Sequence, residues 1–167
     1  MVEVKDISTS VTYPTVDATS YMRASSSDAT LIASLVKAAF QKAEGAIGRS
    51  LAVHTFQQQV DFHEGVIELL YPPIDAITSV KYFDGSVWNT IAASEYEVRG
   101  LQDKYIILSI AYQNVLIEFT TKSYSNDIIN KLVQDLVFVW YDNRPDAEDL
   151  ERNIIKRLAK YKLCRVE

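Results

Sequence analysis

Apolar side chains recur along this chain with two different periods. Leu31, Ile32, Leu35, Val36, Ala39, Phe40, Ala43, Ala46 and Ile47 fall at helical spacing and make one broad stripe. Asp28 stands in the first turn of that helix, after Ser26 or Ser27 as cap, and Gly48 sits just past its end. From about Val53 the period drops to two. Phe56, Gln58, Val60 and Phe62 share a strand face, and Val66–Leu70, Ser79–Phe83, Val87–Ile91, Glu95–Val98, Tyr105–Leu108 and Val115–Thr121 read as short strands. Pro72-Pro73 stops one strand, while Asp84-Gly85 and Arg99-Gly100 are turn signals.

Helical spacing returns with Ile128, Ile129, Leu132, Val133, Leu136, Val137 and Trp140, and ends before Asn143-Arg144-Pro145. Asp146 then reads as the N-cap of a last helix lined by Leu150, Ile154, Ile155, Leu158 and Tyr161. A short helix capped by Thr15 precedes the long one and ends near Arg23. The expected fold class is therefore α+β: a mainly α-helical bundle of about four helices with a small antiparallel β insert between the second and third. Residues 1–14, polar and rich in Ser and Thr, read as a flexible or extended lead-in. Residues 15–146 form the helical core, with the insert at about 53–121, and residues 147–167 form a basic C-terminal helix.

Length and composition bound this picture without naming a function. The 167 residues are 48% apolar and 11% aromatic, enough for a real core, which excludes a disordered chain. Cys164 is the only cysteine, so no internal disulfide is possible. The opening residues lack a basic stretch followed by an apolar one, and no apolar run approaches a bilayer span, so neither signal peptide nor membrane segment is expected. The net charge of −5 is unevenly placed. Residues 152–167 carry Arg152, Lys156, Arg157, Lys160, Lys162 and Arg165 against Glu167, a local charge of +5, and the remainder carries −10. An acidic body repels a phosphate backbone, whereas the basic end is either a docking element for an acidic partner or a solvated helix C-terminus.

Catalytic patterns are missing. Five glycines cannot build a phosphate-binding loop, and no Gly-x-Ser-x-Gly elbow is present. Gly45-Ala46-Ile47-Gly48 has the form of a GxxG clamp but continues the apolar stripe of a helix. His54 and His63 are nine residues apart, so on one regular strand they face opposite ways; Asp61 and His63 share a face, but two ligands do not make a metal site. Cys164 has no base beside it, and Asp142, Asp146, Glu148 and Asp149 lack the spacing of a calcium loop. No catalytic residue, cofactor or metal is expected.

The order of elements resembles the head–tail connector (adaptor) proteins of long-tailed bacteriophages and gene transfer agents. Thr15-Val16-Asp17-Ala18 with Tyr21-Met22-Arg23 looks like the opening helix of that family, and the run from Asp28 to Leu51 like its long second helix and following turn. Leu69–Ile74 before Ile77–Val80 is similar to its strand–Pro–strand passage. Val139–Arg144 resembles the end of its third helix, and Leu158-Ala159-Lys160-Tyr161-Lys162 its C-terminal signature, with Lys162 where Arg is commoner. The resemblance spans about 15–167. It implies a structural virion protein at the head–tail junction, synthesised in the host cytoplasm and not an enzyme. It further implies a ring, usually a dodecamer, beneath the portal protein, monomeric before assembly, carrying a head-closure (stopper) or tail protein. DNA would pass through the channel without sequence-specific binding, and no membrane is involved.

The last helix then has two readings. It is a docking arm, with Ile155, Leu158 and Tyr161 as apolar anchors and Arg157, Lys160 and Lys162 meeting acidic groups on the portal, or it packs on its own core. Deleting residues 150–167 spares the fold in the first case and unfolds it in the second. Another tail-completion or head-closure protein, or a small DNA-binding regulator, are the competing functions.

Overall fold

Period-two alternation builds more sheet than the sequence predicts. The computed structural model describes residues 1–61, 65–124, 126–142 and 146–162. It divides into a β unit, residues 1–12 and 52–123, and a helical unit, residues 13–51 and 124–167. Each has its own apolar core.

The β unit holds β1 (Val2–Asp6), β2 (Thr55–Val60), β3 (Val66–Glu68), β4 (Ile74–Phe83), β5 (Trp88–Thr90), β6 (Tyr96–Arg99), β7 (Tyr105–Leu108) and β8 (Val115–Thr121). A five-stranded sheet runs β1-β2-β8-β4-β5 and a three-stranded sheet β3-β7-β6, with every pairing antiparallel. Alternation along β2 and β8 turns Phe56, Gln58 and Val60, with Val115, Ile117 and Phe119, toward one face. There they pack with Ile67, Ile106 and Leu108 from the second sheet and with Leu69 just past β3. One polar side chain lies among them. Gln58, 1% exposed, donates through Nε2 to the Glu68 carbonyl (2.7 Å) and accepts the Leu70 N–H through Oε1 (3.0 Å), fastening β2 to the chain at the end of β3. The β6–β7 turn closes at Gly100, φ 92°, where a Cβ would collide with the Asp103 carbonyl oxygen.

β1 is held to β2 by side chains as well as by its ladder. The Asp6 carboxylate lies 2.8 Å from Nδ1 of His54, whose ring is buried and stacked on Phe56. Its other oxygen accepts from the Ser8 N–H (2.9 Å) and hydroxyl (2.6 Å), and the Ser8 Oγ in turn accepts the Thr55 N–H (2.8 Å). Burial raises the Asp6 pKa, but the Ser8 and His54 hydrogen bonds outweigh it and hold the carboxyl below its ordinary 3.8. An acid with a depressed folded pKa stabilises above its unfolded value and loses that contribution as pH falls through the folded one. Asp6→Asn is therefore expected to flatten the loss of stability below about pH 4, seen by urea denaturation across pH. An acid limb as steep as that of the parent would show that the pair does not couple to folding.

The helical unit contains α1 (Ala18–Met22), α2 (Ala29–Ile47), α3 (Asp127–Asp142) and α4 (Ala147–Leu158), with single 3-10 turns at Ser26–Asp28 and Ala159–Tyr161. The predicted stripes become its core: Ile32, Ala39, Phe40, Ala43 and Ile47 of α2 meet Ile129, Leu132, Val133, Leu136 and Val137 of α3 and Ile154 and Leu158 of α4. Gly48 ends α2 in the left-handed conformation, its N–H bonding the Glu44 carbonyl (2.8 Å). Glu44 itself is buried. It accepts the Leu51 N–H (2.7 Å) and the Tyr13 hydroxyl (3.0 Å), fixing the chain beyond the helix.

Several expectations are corrected. A mainly helical bundle with a small insert is overturned: eight strands in two sheets, with a separate core, stand beside four helices among the described residues. The lead-in contains a paired edge strand. β1 offers only Val2 and Val4 as apolar residues, and its pairing with β2 joins residues at least 50 positions apart, invisible to local periodicity. β4 begins at Ile74 rather than Ser79, because register shifts at Ile74/Ala76 and Ile77/Ser79 break the alternation. α1 is capped by Asp17, which accepts the Ser20 N–H (3.0 Å), and not by Thr15. Asp146 precedes α4 but makes no side-chain cap. Asn143, Arg144, Pro145, Phe62, His63 and Cys164 lie outside the described residues.

Candidate functional site

α4 presents two different faces because its apolar and basic residues are out of phase. Ile154 and Leu158 are buried in the helical core, and Leu150, Ile155 and Tyr161 are half-buried against it. Arg152, Lys156, Arg157, Lys160 and Lys162 are exposed. Arg152 and Lys156 share one row at i,i+4 spacing, and Arg157 starts the next.

Glu151 orients the helix. It accepts the Trp140 Nε1–H of α3 (2.8 Å), while Lys42 of α2 lies 3.1 Å from its second oxygen. The Trp140 hydrogen bond holds the Glu151 carboxyl below the ordinary glutamate range; burial opposes it and Lys42 adds to it. With Lys42 and Glu151 neutralising each other and Arg152 paired to Asp149 (3.0 Å), the remaining cations stand apart. Lys156, Arg157, Lys160 and Lys162 have no ion-pair partner among the described residues. Beside them is an open groove of about 380 Å³, floored by Ile155 and rimmed by Lys42, Glu148, Glu151, Arg152 and Lys156.

Of the six residues singled out by sequence, Arg157, Lys160 and Lys162 are on the surface, Ile155 and Tyr161 are half-buried, and Leu158 is fully enclosed by its own unit. Sequence reasoning counted Arg152 and Lys156 in the basic end without naming them among the six docking residues, and it missed Lys42. The i,i+4 spacing of Arg152 and Lys156 was a visible signal, whereas Lys42 arrives from α2 through packing alone. The acidic excess lies elsewhere: the β unit carries −6 and the helical unit +1.

His54 is paired with Asp6, and no cluster of three His, Cys, Asp or Glu with metal-binding geometry occurs among the described residues. Gly45–Gly48 is the last turn of α2 and its cap. No described helix is long and apolar enough to cross a membrane.

No protein-family model matches the chain, and no curated protein matches it. Solved structures do. A chain in the neck of an empty gene transfer agent (GTA) particle, computed with C6 symmetry, superposes with TM-score 0.67 at 16% identity, covering 95% of this chain and 97% of that one. A chain in the virion of a native GTA particle gives 0.68 at 15% identity, covering 98% and 97%. A chain in the neck of a native GTA particle, computed with C12 symmetry, gives 0.60 at 16% identity over 95% and 97%. The fold is shared from end to end.

Proposed function

We propose that this chain is a non-enzymatic structural component of a virion neck, and within it a head–tail connector that forms a ring under the portal. The observation that carries the proposal is coverage: chains of GTA neck and virion structures match nearly all of this one and are themselves nearly all matched. The order of helices and strands and the family-like segments between Thr15 and Lys162 support the same reading. An acidic β unit suits a component beside DNA that must slide.

In this proposal α4 with the 3-10 turn and Lys162 after it is the portal-docking element. Arg157, Lys160 and Lys162 meet acidic groups of the portal, and Ile155 and Tyr161 add apolar contact at the edge of the helical core. Leu158 acts from beneath, by fixing the helix that carries them. The ring also receives a stopper or tail protein, and DNA passes through it.

Light scattering measures the mass of the chain alone and with purified portal protein of the same particle. A monomer that converts to a ring on the portal is expected. Failure to bind portal at any ratio removes the connector reading, and salt-dependent retention of DNA by the isolated chain favours a regulator instead. The variant R157E/K160E/K162E is expected to keep its fold and to bind portal on the order of 100-fold more weakly. Unchanged binding moves the docking surface off α4.

A further inference from the structure

The five-stranded sheet has two free edges, and they are unlike each other. Among the described residues β1 pairs only with β2, and β5 only with β4. Because every pairing between them is antiparallel, β1 and β5 point the same way. The register places Glu3, Gln59, Leu116, Lys81 and Thr90 in one row across the sheet, all on the same face. Glu3 therefore ends that row at one edge, while Lys81 stands one strand in from the other, behind the small side chain of Thr90. Neither Glu3 nor Lys81 has an ion-pair partner among the described residues.

The apolar surface follows the same geometry. Val2 and Met1 are exposed at the start of β1, and Val87 and Trp88 are exposed at the start of β5. Trp88 pairs across from Phe83 and packs on it, two residues along from Lys81 and on the same face. The hairpin that presents them is preorganised: Asp84 accepts the Ser86 and Val87 N–H groups (2.8 and 2.9 Å) through one oxygen and the Asn89 amide (2.7 Å) through the other.

We infer that β5 of one copy pairs in parallel with β1 of a second copy, continuing the sheet from molecule to molecule. Extending the row puts Lys81, across Thr90, on the same face as Glu3 of the next copy. The row beside it sets Phe83 and Trp88 against the next copy's Met1. Pairing two different edges is a head-to-tail contact, which closes into a ring if each step adds a fixed rotation. The inference rests on the ring reading only for that closure; the pairing of edges stands by itself.

Cross-linking tests it. V2C/N89C, made with C164S, is oxidised at rising concentration beside the two single-cysteine variants. A ladder of dimer, trimer and higher species on a non-reducing gel is expected from the double variant, and no species above dimer from either single variant. A ladder with no ring by light scattering on purified portal supports the pairing and removes the ring; rings on the portal without a ladder there remove the pairing alone. Absence of any ladder up to the solubility limit overturns it, as does a V2C dimer as abundant as the double variant's dimer, which would show identical edges meeting. K81E is expected to weaken the ladder about threefold, and E3K/K81E to restore it. K81E without effect removes the charge pair that sets the register.

Discussion

Replacing Leu158 with alanine lowers the stability of the helical unit by about 3 kcal/mol, as expected for a fully buried leucine whose surroundings relax only in part. Leu158 is 0% exposed and packs within the cluster formed by α2 and α3. Arg157→Ala, one residue earlier on the exposed side, is expected to stay within about 0.5 kcal/mol of the parent. Trp140 of α3 reports the transition by fluorescence in a Trp88→Phe background, since Trp88 is the other tryptophan. A Leu158→Ala protein as stable as the parent would show that α4 is not part of the core. The same burial decides how the helix can be probed. Deleting residues 150–167 removes Ile154 and Leu158 together, so it unfolds the helical unit whether or not α4 also docks, and surface charge reversals are the cleaner test of docking.

Gln58→Leu is expected to cost the β unit about 3 kcal/mol. The substitution keeps an apolar body of similar size but removes both amide partners, leaving the Glu68 carbonyl and the Leu70 N–H without the bonds Gln58 gave them. The two hydrogen bonds lost, made by a side chain 1% exposed, weigh more than the extra apolar area gained. Urea denaturation followed by Trp88 fluorescence, in a Trp140→Phe background, measures it. A neutral or stabilising effect would mean that water reaches those backbone groups.

Helix positions were legible because their signals are local. The stripe from Leu31 to Ile47, Gly48 beyond it, and the two faces of α4 all follow from spacing within a few turns. The sheets were legible only in pieces. β7 and β8 were predicted at their observed bounds, whereas β1 was hidden by its polar composition and β4 by its bulges. That the strands form two sheets over their own core depends on pairings far apart in the chain. Gln58 and Glu44 show the same limit at single positions. Both read as ordinary polar residues, and only tertiary structure turns them into buried ties between segments. For the basic face, sign and spacing were visible, but which cations are already neutralised was not: Lys42 finds Glu151 on another helix.

The interleaving of the two units has a consequence for how the polypeptide is made. β1 emerges from the ribosome more than 50 residues ahead of β2, its pairing partner. α2 emerges some 80 residues ahead of α3, the helix that covers its stripe. Neither unit can finish folding while the nascent chain is shorter than the start of its last segment, and α2 stays adhesive throughout that interval. A transcript truncated before Asp127 therefore yields an insoluble fragment rather than a half-working protein.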